Sequence, residues 1–191
     1  MAVVASLALP SFMGFTFSRG LAASGDLVVD LANQARQNSI SRNAMTALVL
    51  VRNSGNPNWD NRLFITLQMS AANTGTTPSW TPVTKWEMLP AGTVVDPSQS
   101  STFVSQLPTV SPAPPTLTYL GTPVSASAVC YQIFLPSGGL LLPAGTTPTP
   151  PLLHLINGIS NGTGVTAHGT ATDYYEVTIN PYTGLTKVYR P

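Results

Sequence analysis

Residues 21–42 read LAASGDLVVDLANQARQNSISR. Leu21, Val28, Leu31, Ala35 and Ser39 recur at steps of three and four residues or their sum, with small Ala32 beside them. That spacing is the apolar stripe of an amphipathic helix. Asp26, Asp30, Asn33, Arg36 and Gln37 fall largely on the other faces. The two acids stand early and Arg36 and Arg42 late, the order that a helix dipole favours. Gly20 and Gly25 weaken the start of the helix, so a bend or break is expected near them.

Ahead of this stretch, Met1 to Ser18 reads MAVVASLALPSFMGFTFS and carries no charge. The run approaches the roughly 20 apolar residues that span a bilayer, although Pro10 and Gly14 interrupt it. No basic segment precedes it, as one would in a secretory signal peptide. Periodicity alone does not separate a membrane or filament helix from one buried in a globular core. The chain therefore divides into an N-terminal helix, 1–43, and a β-rich domain, 44–191. The helix has an apolar half, 1–18, and an amphipathic half, 21–42.

Downstream the hydrophobic pattern shortens to that of strands. Ala47–Val51 and Leu63–Leu67 flank the turn-rich Asn53–Asn61 stretch, and Val83–Leu89 is separated from Thr93–Val95 by Pro90-Ala91-Gly92. Val129–Leu135 is strongly apolar and ends at Pro136-Ser137-Gly138-Gly139, and Leu152–Ile156 is a further strand. Tyr174–Ile179 and Leu185–Tyr189 enclose Asn180-Pro181-Tyr182-Thr183-Gly184, where proline presets one turn position and glycine supplies a positive φ. A hairpin is expected there, with Gly184 left-handed and Gly139 in a looser loop. Pro108–Pro115 and Pro143–Pro151 read as extended, exposed loops.

Composition narrows the function classes. The 191 residues bury a substantial core, yet only 8% of them are Asp, Glu, Lys or Arg, against about 25% in an ordinary soluble domain. With a net charge of +1 and no basic run, the chain has no field with which to steer phosphates, which argues against nucleic acid as a partner. Cys130 stands alone, so neither an internal disulfide nor a cysteine-based metal site forms, and it reads as a small buried apolar residue.

An apolar-then-amphipathic helix followed by a β domain that ends in a hairpin resembles the type IV pilins and pseudopilins. Ala8-Leu9-Pro10-Ser11-Phe12, Leu31, Ala35-Arg36, Ser39-Ile40 and Arg42-Asn43 are similar to the helix of the GspH/FimT-type minor pseudopilins. Tyr131–Gly138 looks like the strand and turn of that group, with Ser137 where Asp is usual. Lys85–Asp96 and the ending Asn180–Pro191 resemble, more narrowly, the "Verru_Chthon cassette protein D" group. The resemblance implies an α+β fold, with a long N-terminal helix packed on a mainly antiparallel sheet. It also implies a structural subunit of a type IV pilus or type II secretion-like filament, held in the bacterial inner membrane before assembly, with its β domain periplasmic or extracellular. Its partners would be other pilin or pseudopilin subunits, met through the N-terminal helix. The opening Met1-Ala2-Val3-Val4-Ala5 looks like the interior of such a helix, so the family's basic leader and glutamate-bearing signature would precede Met1.

Chemistry-bearing constellations are sparse. His154 lies inside a strand pattern and His168 in a Gly/Thr-rich stretch, neither at metal-ligand spacing. No G-x-S-x-G elbow anchors a serine hydrolase, and no glycine-rich loop introduces a phosphate-binding helix. The seven acidic residues are dispersed, and Asn161-Gly162-Thr163 matches a glycosylation sequon of the kind chance supplies. No catalytic, cofactor-binding or metal-binding residue is therefore assigned, and no enzyme activity is expected. Trp59, Trp80 and Trp86 lie in or near turn-rich segments. They read as caps over the core beneath long loops, or as the platform of a secreted carbohydrate- or surface-binding β module. A binding module of that kind has no need of the 1–43 helix, whereas a filament subunit requires it.

Overall fold

One helix, α1 (Ala2–Ser41), runs for 40 residues without a break. The computed structural model describes residues 2–70, 78–105, 111, 113–143, 145, 147–162, 164–168 and 173–191, with residues 2–18, 101 and 105 as backbone only. After α1 come strands β1 (Thr46–Val51), β2 (Leu63–Met69), β3 (Trp80–Pro82), β4 (Glu87–Met88) and β5 (Thr93–Val95), then the short helix α2 (Ser101–Ser105). A hairpin of β6 (Leu117–Tyr119) and β7 (Thr122–Val124) precedes β8 (Val129–Phe134) and β9 (Leu152–Ser160). The chain closes with β10 (Val165–Ala167), β11 (Tyr174–Ile179) and β12 (Thr186–Tyr189).

Every strand pairing is antiparallel. The first sheet has the order β3-β2-β1-β8, with β4 also on β2, and the second has the order β10-β9-β11-β12, with β5 also on β9. The fold is thus α+β, a long N-terminal helix packed on antiparallel sheets, as the resemblance implies.

The uninterrupted apolar run of β1 is explained by burial on both faces. Leu48 and Leu50 turn towards α1 with Phe64, Cys130 and Phe134. Ala47, Val49 and Val51 turn the other way, with Leu63, Ile65, Leu67 and Ile133, beneath Leu117 and Val124 of the small hairpin. The second sheet closes the helix side of the core with Leu153, Leu155, Tyr175, Val177 and Ile179. Every residue of the expected helix stripe, from Leu21 to Ser39, is buried, whereas Asp26, Asp30 and Gln37 are exposed. Each large apolar side chain on that stripe contributes roughly 1.5–3 kcal/mol to holding the helix down.

Several expectations are corrected. The helix does not break at Gly20 or Gly25. Gly25 instead lets the ring of Tyr175 cross the helix, in space that a Cβ would occupy. Val83–Leu89 is not one strand, because pairing with β2 is confined to Trp80–Pro82 and Glu87–Met88. β9 runs four residues beyond Ile156, through Gly158, where a Cβ would stand 2.6 Å from the Thr166 carbonyl oxygen on the neighbouring strand. Gly139 is not in a loose loop: a Cβ there would lie 2.6 Å from the Tyr182 carbonyl oxygen, so the loop forms the floor beneath the C-terminal turn. Of the two proline-rich stretches, residues 108–110, 112, 144 and 146 lie outside the described residues. The described remainder forms no strand, but Pro114 and Pro151 are buried.

Candidate functional site

From residue 19 onward, α1 lays one face on the β domain and leaves the other exposed. Its inner face is fixed by packing and by three hydrogen bonds to the second sheet and the turn that follows it. The Tyr175 hydroxyl donates to Asp26 Oδ1 at 3.1 Å, Arg36 Nε donates to the Thr183 carbonyl at 2.7 Å, and Thr186 Oγ1 donates to Asn33 Oδ1 at 3.4 Å. Ser24 and Ser39 are buried without cost, because their hydroxyls bond back to the carbonyls of Gly20 and Arg36. The outer face is left to Arg19, Ala23, Asp30, Gln34, Gln37 and Ile40, with Asp26 at its edge.

The two segments that carried the narrower resemblance each approach this helix. Lys85–Asp96 spans β4, a turn at Gly92 with φ of 82°, and β5, whose Thr93 lies beside Gly20. Asn180–Pro191 forms the turn and last strand: Gly184 N–H donates to the Asn180 carbonyl at 2.7 Å, and the Asn180 side chain accepts from the Tyr182 and Thr183 amides. Gly184 is left-handed, with φ of 66°, as the sequence predicts.

The structure does not bring the two histidines together. His154 lies on the outer face of the second sheet, half-buried, with Nδ1 3.1 Å from Glu176 Oε1 and its ring against Tyr174. His168 is exposed just after β10, where its backbone amide closes onto Asn157. Among the described residues, no three His, Cys, Asp or Glu side chains gather as metal ligands. His154→Gln should cost no more than about 1 kcal/mol, the scale of one side-chain hydrogen bond, and His168→Gln should cost nothing measurable. Thermal denaturation of the two variants provides the measurement, and a loss of several kcal/mol at either would contradict this placement.

Cys130 is buried in the helix-side core, and burial pushes its thiol up to about 12, with nearby Arg52 pulling weakly the other way. It therefore stays a neutral core residue. The tryptophans are engaged in packing. Trp80 is buried, and Trp59 and Trp86 meet Tyr119 edge-on at 5.1 and 5.6 Å, with Trp86 Nε1 donating to the Thr118 carbonyl. This cluster holds the β6–β7 hairpin over the first sheet. In the sequon, Asn161 Oδ1 already accepts from the Gly164 amide at 2.7 Å; Thr163 lies outside the described residues.

Sequence reasoning missed one feature of the surface. A cleft of about 430 Å³ opens between the end of β1, the turn after β5 and the outer face of β9 and β10. Its charged residues, Arg52 and Asp96, are 44 positions apart and belong to no motif, so no local signal marks them.

Among the described residues, no helix is long and apolar enough to cross a membrane. No protein-family model and no curated protein matches the chain. It is similar to two solved structures of the minor pseudopilin EpsH from the type II secretion system of Vibrio cholerae. One has 12% sequence identity and a TM-score of 0.47, covering 90% of this chain and 96% of that one. The other has 13% identity and a TM-score of 0.46, covering 91% and 98%.

Proposed function

We propose that this chain is a structural subunit, of the minor pilin or pseudopilin kind, in a type IV pilus or type II secretion-like filament. The cassette protein D group is the narrower assignment, resting on Lys85–Asp96 and Asn180–Pro191. The observation that carries the reading is the continuity of α1. Its 40 residues make a rod about 60 Å long, whereas a domain of this size is about 40 Å across. One rigid element therefore joins the uncharged 1–18 segment to a stripe anchored in the globular core. In this reading the apolar half sits in the inner membrane before assembly, where a helix satisfies its own backbone. It then exchanges lipid for the helices of neighbouring subunits, and the β domain forms the outer surface.

Two linked measurements test this. Deleting Met1–Ser18 should leave the β domain folded, because its described core begins at Leu21. Single cysteines placed by Ala5→Cys or Ala8→Cys should cross-link between subunits in envelope preparations, with buried Cys130 as a silent background. If the truncation unfolds the domain cooperatively, or if the full-length cysteine variants give no inter-subunit products, the proposal fails.

A further inference from the structure

We propose that the cleft between Arg52 and Asp96 is a binding site for a small amphoteric ligand with an aliphatic body, in the class of amino acids and short apolar peptides. The volume, about 430 Å³, falls within the usual range of small-ligand pockets, roughly 300–1,000 Å³. Its floor is aliphatic, formed by half-buried Ile156 and Val165 with Ala167 at the rim.

Each charge is held in place by its backbone. The Arg52 amide donates to the Ala128 carbonyl at 2.8 Å, so the half-buried side chain leaves β1 at a fixed point. The Asp96 amide donates to the His154 carbonyl at 2.7 Å, and Asp96 Oδ1 accepts from both the amide and the hydroxyl of Ser98. Oδ2 takes no hydrogen bond from any described residue. No ion pair joins Arg52 to Asp96, so the guanidinium and the carboxylate share the cleft without closing on each other. A ligand bearing both signs satisfies both.

The same inventory discriminates between ligand classes. A phosphate or sulfate would meet Arg52 but be repelled by Asp96. A sugar needs several hydrogen-bond partners, and the Gly164 amide and carbonyl are already engaged with Asn161. A carboxylate lying on the planar fork of Arg52 forms the stronger, paired contact. An ammonium then reaches Asp96, with an apolar body over Ile156 and Val165 between them.

The test uses the full chain in detergent micelles, titrated with the dipeptide Val-Ala and followed by the amide resonances of Val165 and Ala167. The zwitterion should shift them saturably. N-acetylation, C-terminal amidation, Arg52→Gln and Asp96→Asn should each weaken binding about tenfold, the scale of one lost charged hydrogen bond. Arg52→Gln removes a side chain with no hydrogen-bond partner among the described residues, so its fold is expected to be intact. Absence of saturation up to about 10 mM, beyond which affinity is negligible, would overturn the proposal. So would equal binding of the blocked peptides, or tighter binding of glucuronate than of the dipeptide.

Discussion

Gly25→Ala is expected to destabilise the protein by about 1–3 kcal/mol, the usual cost of overpacking a core. Helix propensity alone predicts the opposite sign, since alanine in place of glycine in a helix interior gains about 1 kcal/mol. The contact decides it. A Cβ at residue 25 would fall within the ring of Tyr175. That ring has little room to retreat, because it is 7% exposed and its hydroxyl is tied to Asp26. Gly25→Leu should go further and lift the helix off the second sheet. Urea denaturation provides the measurement, and a double-mutant cycle provides the control. With Tyr175→Ala as background, Gly25→Ala should turn neutral or stabilising, because only the propensity difference remains. A stabilising Gly25→Ala in the wild-type background would show that the helix is not docked through this contact.

Gly184→Val should be the more damaging of two substitutions at the other end of the helix. A left-handed backbone penalises a β-branched residue by about 1–2 kcal/mol. Here the added Cβ would also collide with the Gly138 carbonyl oxygen, and would lie 3.1 Å from Arg36 Cδ and 3.2 Å from Phe134 Cδ1. Backbone cannot swing aside as a side chain can, so the combined loss should reach about 2–5 kcal/mol, a large share of a typical domain's stability. Gly139→Val lacks the positive φ but meets the Tyr182 backbone, so it should cost about 1–3 kcal/mol. The expected order of melting temperatures is wild type, Gly139→Val, then Gly184→Val. Unchanged melting in both variants would mean that the two loops do not touch.

The elements that were legible in the sequence are those whose pattern and packing agree. The helix stripe and the strands Thr93–Val95 and Tyr174–Ile179 were readable to the residue, since each buries a regular set of apolar positions. The β6–β7 hairpin was not, because its two-residue turn is Leu120-Gly121, both at positive φ, with Leu120 exposed. Such turns usually announce themselves with Asn-Gly or Asp-Gly. Gly158 lies mid-strand to admit a neighbouring carbonyl. Gly25 reads in sequence as a helix weakener, yet its place is set by the close approach of Tyr175. For two glycines the deciding partner is remote in sequence: Tyr175 for Gly25 and Tyr182 for Gly139. Pairings of that range leave no trace in local periodicity.

The strand that follows α1 fixes how the β domain would respond to a pull on the helix. Only a short link, residues 42–45, separates the helix from β1, and β1 is an inner strand bonded to β2 on one side and to β8 on the other. A pull along the helix therefore enters the domain at the middle of a sheet, not at its rim. The antiparallel ladders hold β1 through five register pairs to β2 and six to β8. Ladder hydrogen bonds lie perpendicular to the strands, so tension along β1 loads these rungs together in shear, where an edge strand would peel one rung at a time. The tethers from Arg36 to Thr183 and from Asn33 to Thr186 pass part of the same load into the second sheet. Both sheets thus bear the strain transmitted by a single helix.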